Sequence, residues 1–166
     1  MIAAEEWIKA LELKPHPEGG WYREVYRSAE TIPCSALPSR FGGARAFSTT
    51  IYFLLRRGEV SALHRIASDE GWHHLDGEPL TLHLISPAGE YSTLSVGRDP
   101  TRGILPLAVA PAGWWFGATV EAGYALVSCT VAPGFDFAEF EMPTRADLLT
   151  RYPELREQIC HFFPFP

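Results

Sequence analysis

Turn-forming residues break the chain at short intervals from residue 46 to residue 141. Gly58, Asp76-Gly77, Pro87-Ala88-Gly89, Arg98-Asp99-Pro100, Pro111-Ala112-Gly113 and Pro133-Gly134 leave only short stretches between them. Such stretches suit strands and are too short for a helical bundle. Fourteen glycines and fourteen prolines in 166 residues strengthen the same reading. Strands are expected at 46–55, 59–66, 70–75, 79–85, 91–96, 105–109, 114–119, 124–132 and 136–141, with one more at Trp21–Arg27. Regular short strands imply an all-β sandwich or barrel. Ala3 to Leu13 reads as a short amphipathic helix ended by Pro15 and Pro17, and residues 28–45 read as loop. Thr144-Arg145-Ala146-Asp147 resembles a capping box that opens a C-terminal helical segment, 144–161. The length fits a single domain over 1–166 with a barrel core at about 20–142.

Composition removes several function classes. Hydrophobic residues make up 46% and charged residues 20%, ordinary values for a folded domain. The net charge is −6 and no basic stripe occurs, so neither nucleic acid nor an anionic membrane is an expected partner. Three cysteines without a CxxC spacing write neither a disulfide framework nor a structural zinc site; three reduced thiols are expected, with Cys129 packed inside a strand. Glu5, Glu6 and Lys9 interrupt any apolar leader, and the expected location is cytoplasmic. No phosphate-loop frame and no GxSxG elbow is present.

The informative stretch runs from Gly58 to Gly77. Gly58, His64, Glu70 and Gly77 stand at the spacings of the first cupin motif, with Ile66 where a second histidine is usual. Pro111-Ala112-Gly113 matches the start of the second motif, with Phe116 at its histidine position. The runs Pro15 to Glu24, Ser68 to His73 and Val131 to Phe137 resemble the cupin-5 branch, formerly a domain of unknown function. That resemblance implies a double-stranded β-helix (a jelly-roll barrel), commonly a homodimer, with a small-molecule pocket in the barrel. It brings no established reaction with it.

Strand alternation puts Ala62, His64 and Ile66 on one face, and Glu70, Trp72 and His74 on another. The motif itself leaves two metal-ligating side chains, fewer than the three a catalytic site normally takes. His74 and His83 are the candidates to complete a site for one divalent ion (Zn, Mn, Fe or Ni) with His64 and Glu70. A two-residue hairpin at Asp76-Gly77 would place His83 opposite Glu70, and a loop one residue longer would send it to the other face. His73 should face away from His74. Trp72, Trp114, Phe116 and Tyr52 are candidate pocket aromatics, as are Trp115 and Phe53. Arg23 and Glu24 could complete the pocket or seal a dimer.

Three functions stay open. The first is an isomerase or epimerase on a carbohydrate-like or other small polar metabolite, with His64 as base and Glu70 as acid or ligand. The second is a metal-dependent oxygenase or isomerase. The third is a non-catalytic binding or storage-type cupin.

Overall fold

The computed structural model describes residues 2–163. A short helix, α1 (Ala4–Ala10), precedes twelve strands: β1 (Lys14–Pro15), β2 (Trp21–Arg27), β3 (Thr31–Ile32), β4 (Arg45–Ala46), β5 (Thr49–Arg56), β6 (Val60–His64), β7 (Asp69–Gly77), β8 (Leu80–Ile85), β9 (Tyr91–Val96), β10 (Leu107–Ala110), β11 (Trp115–Val120) and β12 (Tyr124–Ala132). Helices α2 (Arg145–Arg151) and α3 (Arg156–His161) follow. Six strands form one sheet in the order β1-β2-β5-β12-β7-β10, four form another in the order β6-β11-β8-β9, and β3 pairs with β4. All pairings between these strands are antiparallel. Apart from β1-β2 and β8-β9, neighbours in the two main sheets are non-consecutive, which gives the jelly-roll arrangement that the family resemblance implies.

The two sheets close on a core of inward-facing residues. Leu80, Leu82 and Leu84 of β8 meet Phe53 and Leu55 of β5, Trp72 of β7, Phe116 of β11 and Val127 of β12. The outer face of the four-stranded sheet is covered by the C-terminal helices, where Leu148, Ile159 and Phe162 pack on Leu63, Ile85 and Trp115. Thr144 caps α2 reciprocally with Asp147, as the sequence predicts. Helix α1 covers the outer face of the six-stranded sheet through Trp7, Ile8 and Leu11, and the Trp7 indole donates to Asp76 at 2.9 Å. Among the described residues no helix is long and apolar enough to cross a membrane.

Three regions differ from the expected elements: β3 and a 3-10 turn at Cys34–Ala36 fall within the expected loop 28–45, and the other two bear on the site. Residues 136–141 form no strand: Phe137–Glu139 is a single 3-10 turn, because the Asp136 carboxylate accepts from the Ala138 N–H at 2.9 Å and curls the backbone. Asp76-Gly77 is a corner between sheets, not a hairpin. Gly77 is still paired with Ala125 of β12, takes φ +85°, and hands the chain across to β8 in the opposite sheet. His83 therefore never faces Glu70.

Candidate active site

A cavity of about 280 Å³ opens between the sheets. His64, Glu70, Trp72 and Glu24, all expected from the sequence, line it, as does Phe53. His16 and Glu18 also line it, although their surroundings in the sequence, Pro15-His16-Pro17-Glu18-Gly19-Gly20, have only the composition of a turn.

That turn is built by two hydrogen bonds, from the His16 N–H to the Gly20 carbonyl and from the Gly19 N–H to the His16 carbonyl, each 3.0 Å. Gly19 at φ +105° and Gly20 at φ +70° bend it inward. The Glu18 carbonyl accepts from the Ala62 N–H at 2.8 Å, which ties the turn to β6 just before His64. Glu18 is thereby drawn into the interior, 7% exposed, and Ser61 donates to its Oε1 at 2.7 Å. Oε2 of Glu18 lies 3.3 Å from His64 Nε2 and 3.3 Å from His16 Nδ1.

The tautomers follow from these partners. His64 Nδ1 lies 2.8 Å from the Ala62 carbonyl, which can only accept, so Nδ1 carries the proton and Nε2 presents its lone pair to Glu18. His16 Nδ1 accepts from the Glu18 backbone N–H at 3.3 Å, so its other nitrogen carries the proton. Burial pushes the Glu18 carboxyl up to about 8 and that of Glu70 up to about 7, with His64 pulling Glu70 down and Glu18 pushing it up. Burial lowers His16 to about 4, and lowers His64 against the opposing pull of Glu70. At neutral pH these close pairs are thus uncharged, and the Glu18 carboxyl proton faces the free lone pair of His64 Nε2. Burial, with the nearby Glu70 carboxyl adding to it, pushes the Cys129 thiol well above the usual thiol range, so it is no nucleophile.

The remaining expected residues lie elsewhere. His83 is on the outer face of β8, bonded to the Tyr91 hydroxyl at 2.7 Å and the Thr119 hydroxyl at 2.9 Å, under Phe162. His74 shares the inner face of β7 but sits beyond Trp72, away from the cavity, with Nε2 against the Glu78 carbonyl at 3.1 Å. Tyr52 faces outward toward α1, since alternation gives the inner position to Phe53. Arg23 points out of the barrel, donating to the Leu11 carbonyl and pairing with Glu12 at 2.7 Å. Trp114 packs on the core without reaching the cavity, and Trp115 lies under the C-terminal helices. Phe116 is wholly buried behind His64, their ring centroids 4.1 Å apart.

A family model for the cupin superfamily, the DUF985 group, matches residues 5–143. The chain belongs to the cupin superfamily. A hypothetical protein from Leishmania major is 41% identical to this cupin and superposes with a TM-score of 0.89, covering 96% of this chain and 98% of that one. A structural-genomics protein from Shewanella oneidensis is also 41% identical, with a TM-score of 0.86 over 96% of each chain. An oxalate decarboxylase from Bacillus subtilis shares the fold at 14% identity and a TM-score of 0.55, over 90% of this cupin and 37% of that chain. No curated protein matches.

Metal centres are common in cupins, and the donor set of this cupin does not fit one. Ile66 is buried in the core where the usual second imidazole would stand, and Phe116 replaces the third. His74 and His83 are both remote from Glu70's cavity. Both nitrogens of His64 already have partners. Among the described residues no three His, Cys, Asp or Glu side chains are grouped to hold an ion.

Proposed function

We propose that this cupin binds a small organic molecule in the barrel and moves protons on it, as an isomerase or epimerase acting on a carbohydrate-like or other small polar metabolite. The observation that supports this reading most is the Glu18–His64–Glu70 cluster inside a cavity walled by aromatic rings. A general base works best with its pKa near the operating pH, and Glu70 at about 7 meets that condition. Ionised Glu70 takes a proton from the carbon beside a carbonyl group. Protonated Glu18 gives its proton to the carbonyl oxygen, with the His64 Nε2 lone pair beside it to hold the acid in place. With a hydroxyl on that carbon the product is an enediol: the Glu18 carboxylate then takes the proton of this second hydroxyl and Glu70 returns its proton to the former carbonyl carbon, so the carbonyl moves by one carbon. Electrons are neither gained nor lost, and no further reactant is needed.

The test is solvent-deuterium incorporation from D2O into a panel of neutral aldoses, ketoses and cyclic ketones, read by mass spectrometry. Wild-type protein dialysed against EDTA is expected to catalyse exchange, and Glu70→Gln to lower it by about 10²–10⁴-fold. An unreactive panel, with ligand binding unchanged in His64→Ala, overturns the reading. Binding without exchange favours the non-catalytic cupin, which the apolar residues Ile66 and Phe116 at the usual ligand positions also support.

We further propose that the protein works as a homodimer. Strand β10 ends the six-stranded sheet and exposes Leu107 at 47% and Val109 at 43%, with Leu105 just before it at 53%. A free edge with apolar side chains is a ready template for a second copy related by a two-fold axis. Light scattering is expected to give twice the mass of the chain, and Leu107→Lys with Val109→Lys to give the single mass. A wild-type monomer at micromolar concentration overturns the proposal.

A further inference from the structure

We infer that the cavity selects a flat, unphosphorylated ring without negative charge, no larger than one or two fused rings. The inference rests on reading the cavity as a small-molecule site, narrows its occupant from carbohydrate-like molecules to other small polar metabolites with a flat ring, and holds whether or not the occupant reacts.

Size comes first. At about 280 Å³ the cavity falls just below the ~300–1,000 Å³ of pockets for drug-sized ligands, so a sugar nucleotide or a dinucleotide is too large. Shape comes from the walls. Tyr22, Phe53, Trp72, Phe135, Phe137 and Phe140 line the space, contributed by three strands and the segment after β12. They meet edge to face: Phe53 lies 5.6 Å from Trp72 at 73°, and Phe137 lies 5.7 Å from Phe140 at 76°. A flat guest stacks on one such ring and meets the edges of others. The polar groups gather in two places. His16, Glu18, His64 and Glu70 form the inner cluster, and Glu24, Arg27 and Asp136 form the rim. A sugar presents hydroxyls all around its ring and would leave most of them against phenyl carbons. A heterocycle needs polar partners along one edge, which the inner cluster supplies.

Charge is decided at the rim. Arg27 is the one guanidinium or ammonium among the described residues lining the cavity, and it is engaged. Its Nε and Nη2 donate to the two oxygens of Glu24 at 3.0 and 2.7 Å, and Nη1 donates to the Phe135 carbonyl at 3.1 Å. An anionic guest would have to displace Glu24 from that fork and pass Asp136. A neutral or cationic ring meets no such opposition.

The experiment is calorimetric titration of the full chain at pH 7 with nicotinamide against nicotinate, uracil against uridine 5′-monophosphate, and glucose. The neutral flat rings are expected to bind about tenfold or more tightly than their anionic counterparts, and Phe53→Ala to weaken them. Glu24→Gln with Asp136→Asn is expected to narrow the gap by strengthening nicotinate alone. Equal or tighter binding of nicotinate or the nucleotide overturns the inference. Binding of glucose with neither flat ring bound also overturns it, while leaving the small-molecule reading intact. Silence from every probe counts against both.

Discussion

Gly19→Ala is expected to lower unfolding stability by roughly 3 kcal/mol and to abolish binding in the cavity. Two effects add. Gly19 sits at φ +105°, where any side chain is strained. A β-carbon built there would also lie 2.2 Å from the Val60 carbonyl oxygen, a backbone atom of β6 that cannot swing away. The turn must retreat from β6 instead. That retreat breaks the bond between the Ala62 N–H and the Glu18 carbonyl and pulls the Glu18 carboxyl from Ser61 and His64. Gly58→Ala is the control. Gly58 also has positive φ, +83°, but a β-carbon there meets nothing within 4 Å, so only backbone strain of about 1 kcal/mol is expected and binding should persist. Urea unfolding and ligand titration on both variants decide the matter. If Gly19→Ala behaves like Gly58→Ala, the turn is not the rigid carrier of Glu18 that its packing indicates.

The contrast between these two glycines shows what the sequence carries and what it leaves out. Turn signals and alternation sufficed for the barrel, because each strand's burial pattern is local. The resemblance of the Gly58-to-Gly77 spacing to the first cupin motif implied that His64 and Glu70 share one cavity, and both line it. The other half of the cluster was hidden in Pro15-His16-Pro17-Glu18-Gly19-Gly20, whose composition reads as a turn; only contact with β6 turns Glu18 inward. The available signal was an acidic side chain between a proline and two glycines, a place where the backbone is fixed and the side chain can be aimed. Tyr52 and Phe53 illustrate a different limit. Alternation requires one to face in and one out, and two adjacent aromatics give no local reason to choose. His83 illustrates a third. Asp-Gly is compatible with a hairpin and with a corner, and the choice rests on how far β7 stays paired with β12, a non-local fact.

Unfolding stability is expected to peak near pH 6 and to fall by about 2 kcal/mol or more between pH 6.5 and 8. Two opposing sets of groups produce the peak. Glu18 and Glu70 rise from 4.5 to about 8 and about 7 on folding, so the native state holds their protons more tightly than the unfolded chain does. Their contribution is complete below pH 4.5 and is lost as pH rises through 7 and 8. His16 and His83 fall from 6.5 to about 4, in both cases chiefly through burial. Their contribution is complete above pH 6.5 and is lost as pH falls toward 4. Between 4.5 and 6.5 the two sets oppose each other, and above 6.5 only the carboxyls still act. Each of these carboxyls raises the cost of ionising its neighbour, so the protons leave in sequence and the decline is spread over the interval. Glutamine mimics the protonated acid in shape and cannot ionise. The double variant Glu18→Gln, Glu70→Gln is therefore expected to gain on wild type steadily from pH 5 to pH 8, with its largest advantage at pH 8. Urea titrations at pH 5, 6, 7 and 8 read both effects. A wild-type stability that holds level or climbs from pH 6.5 to 8 would show that water reaches these carboxyls freely, and with that the poised proton on Glu70 would lose its physical basis.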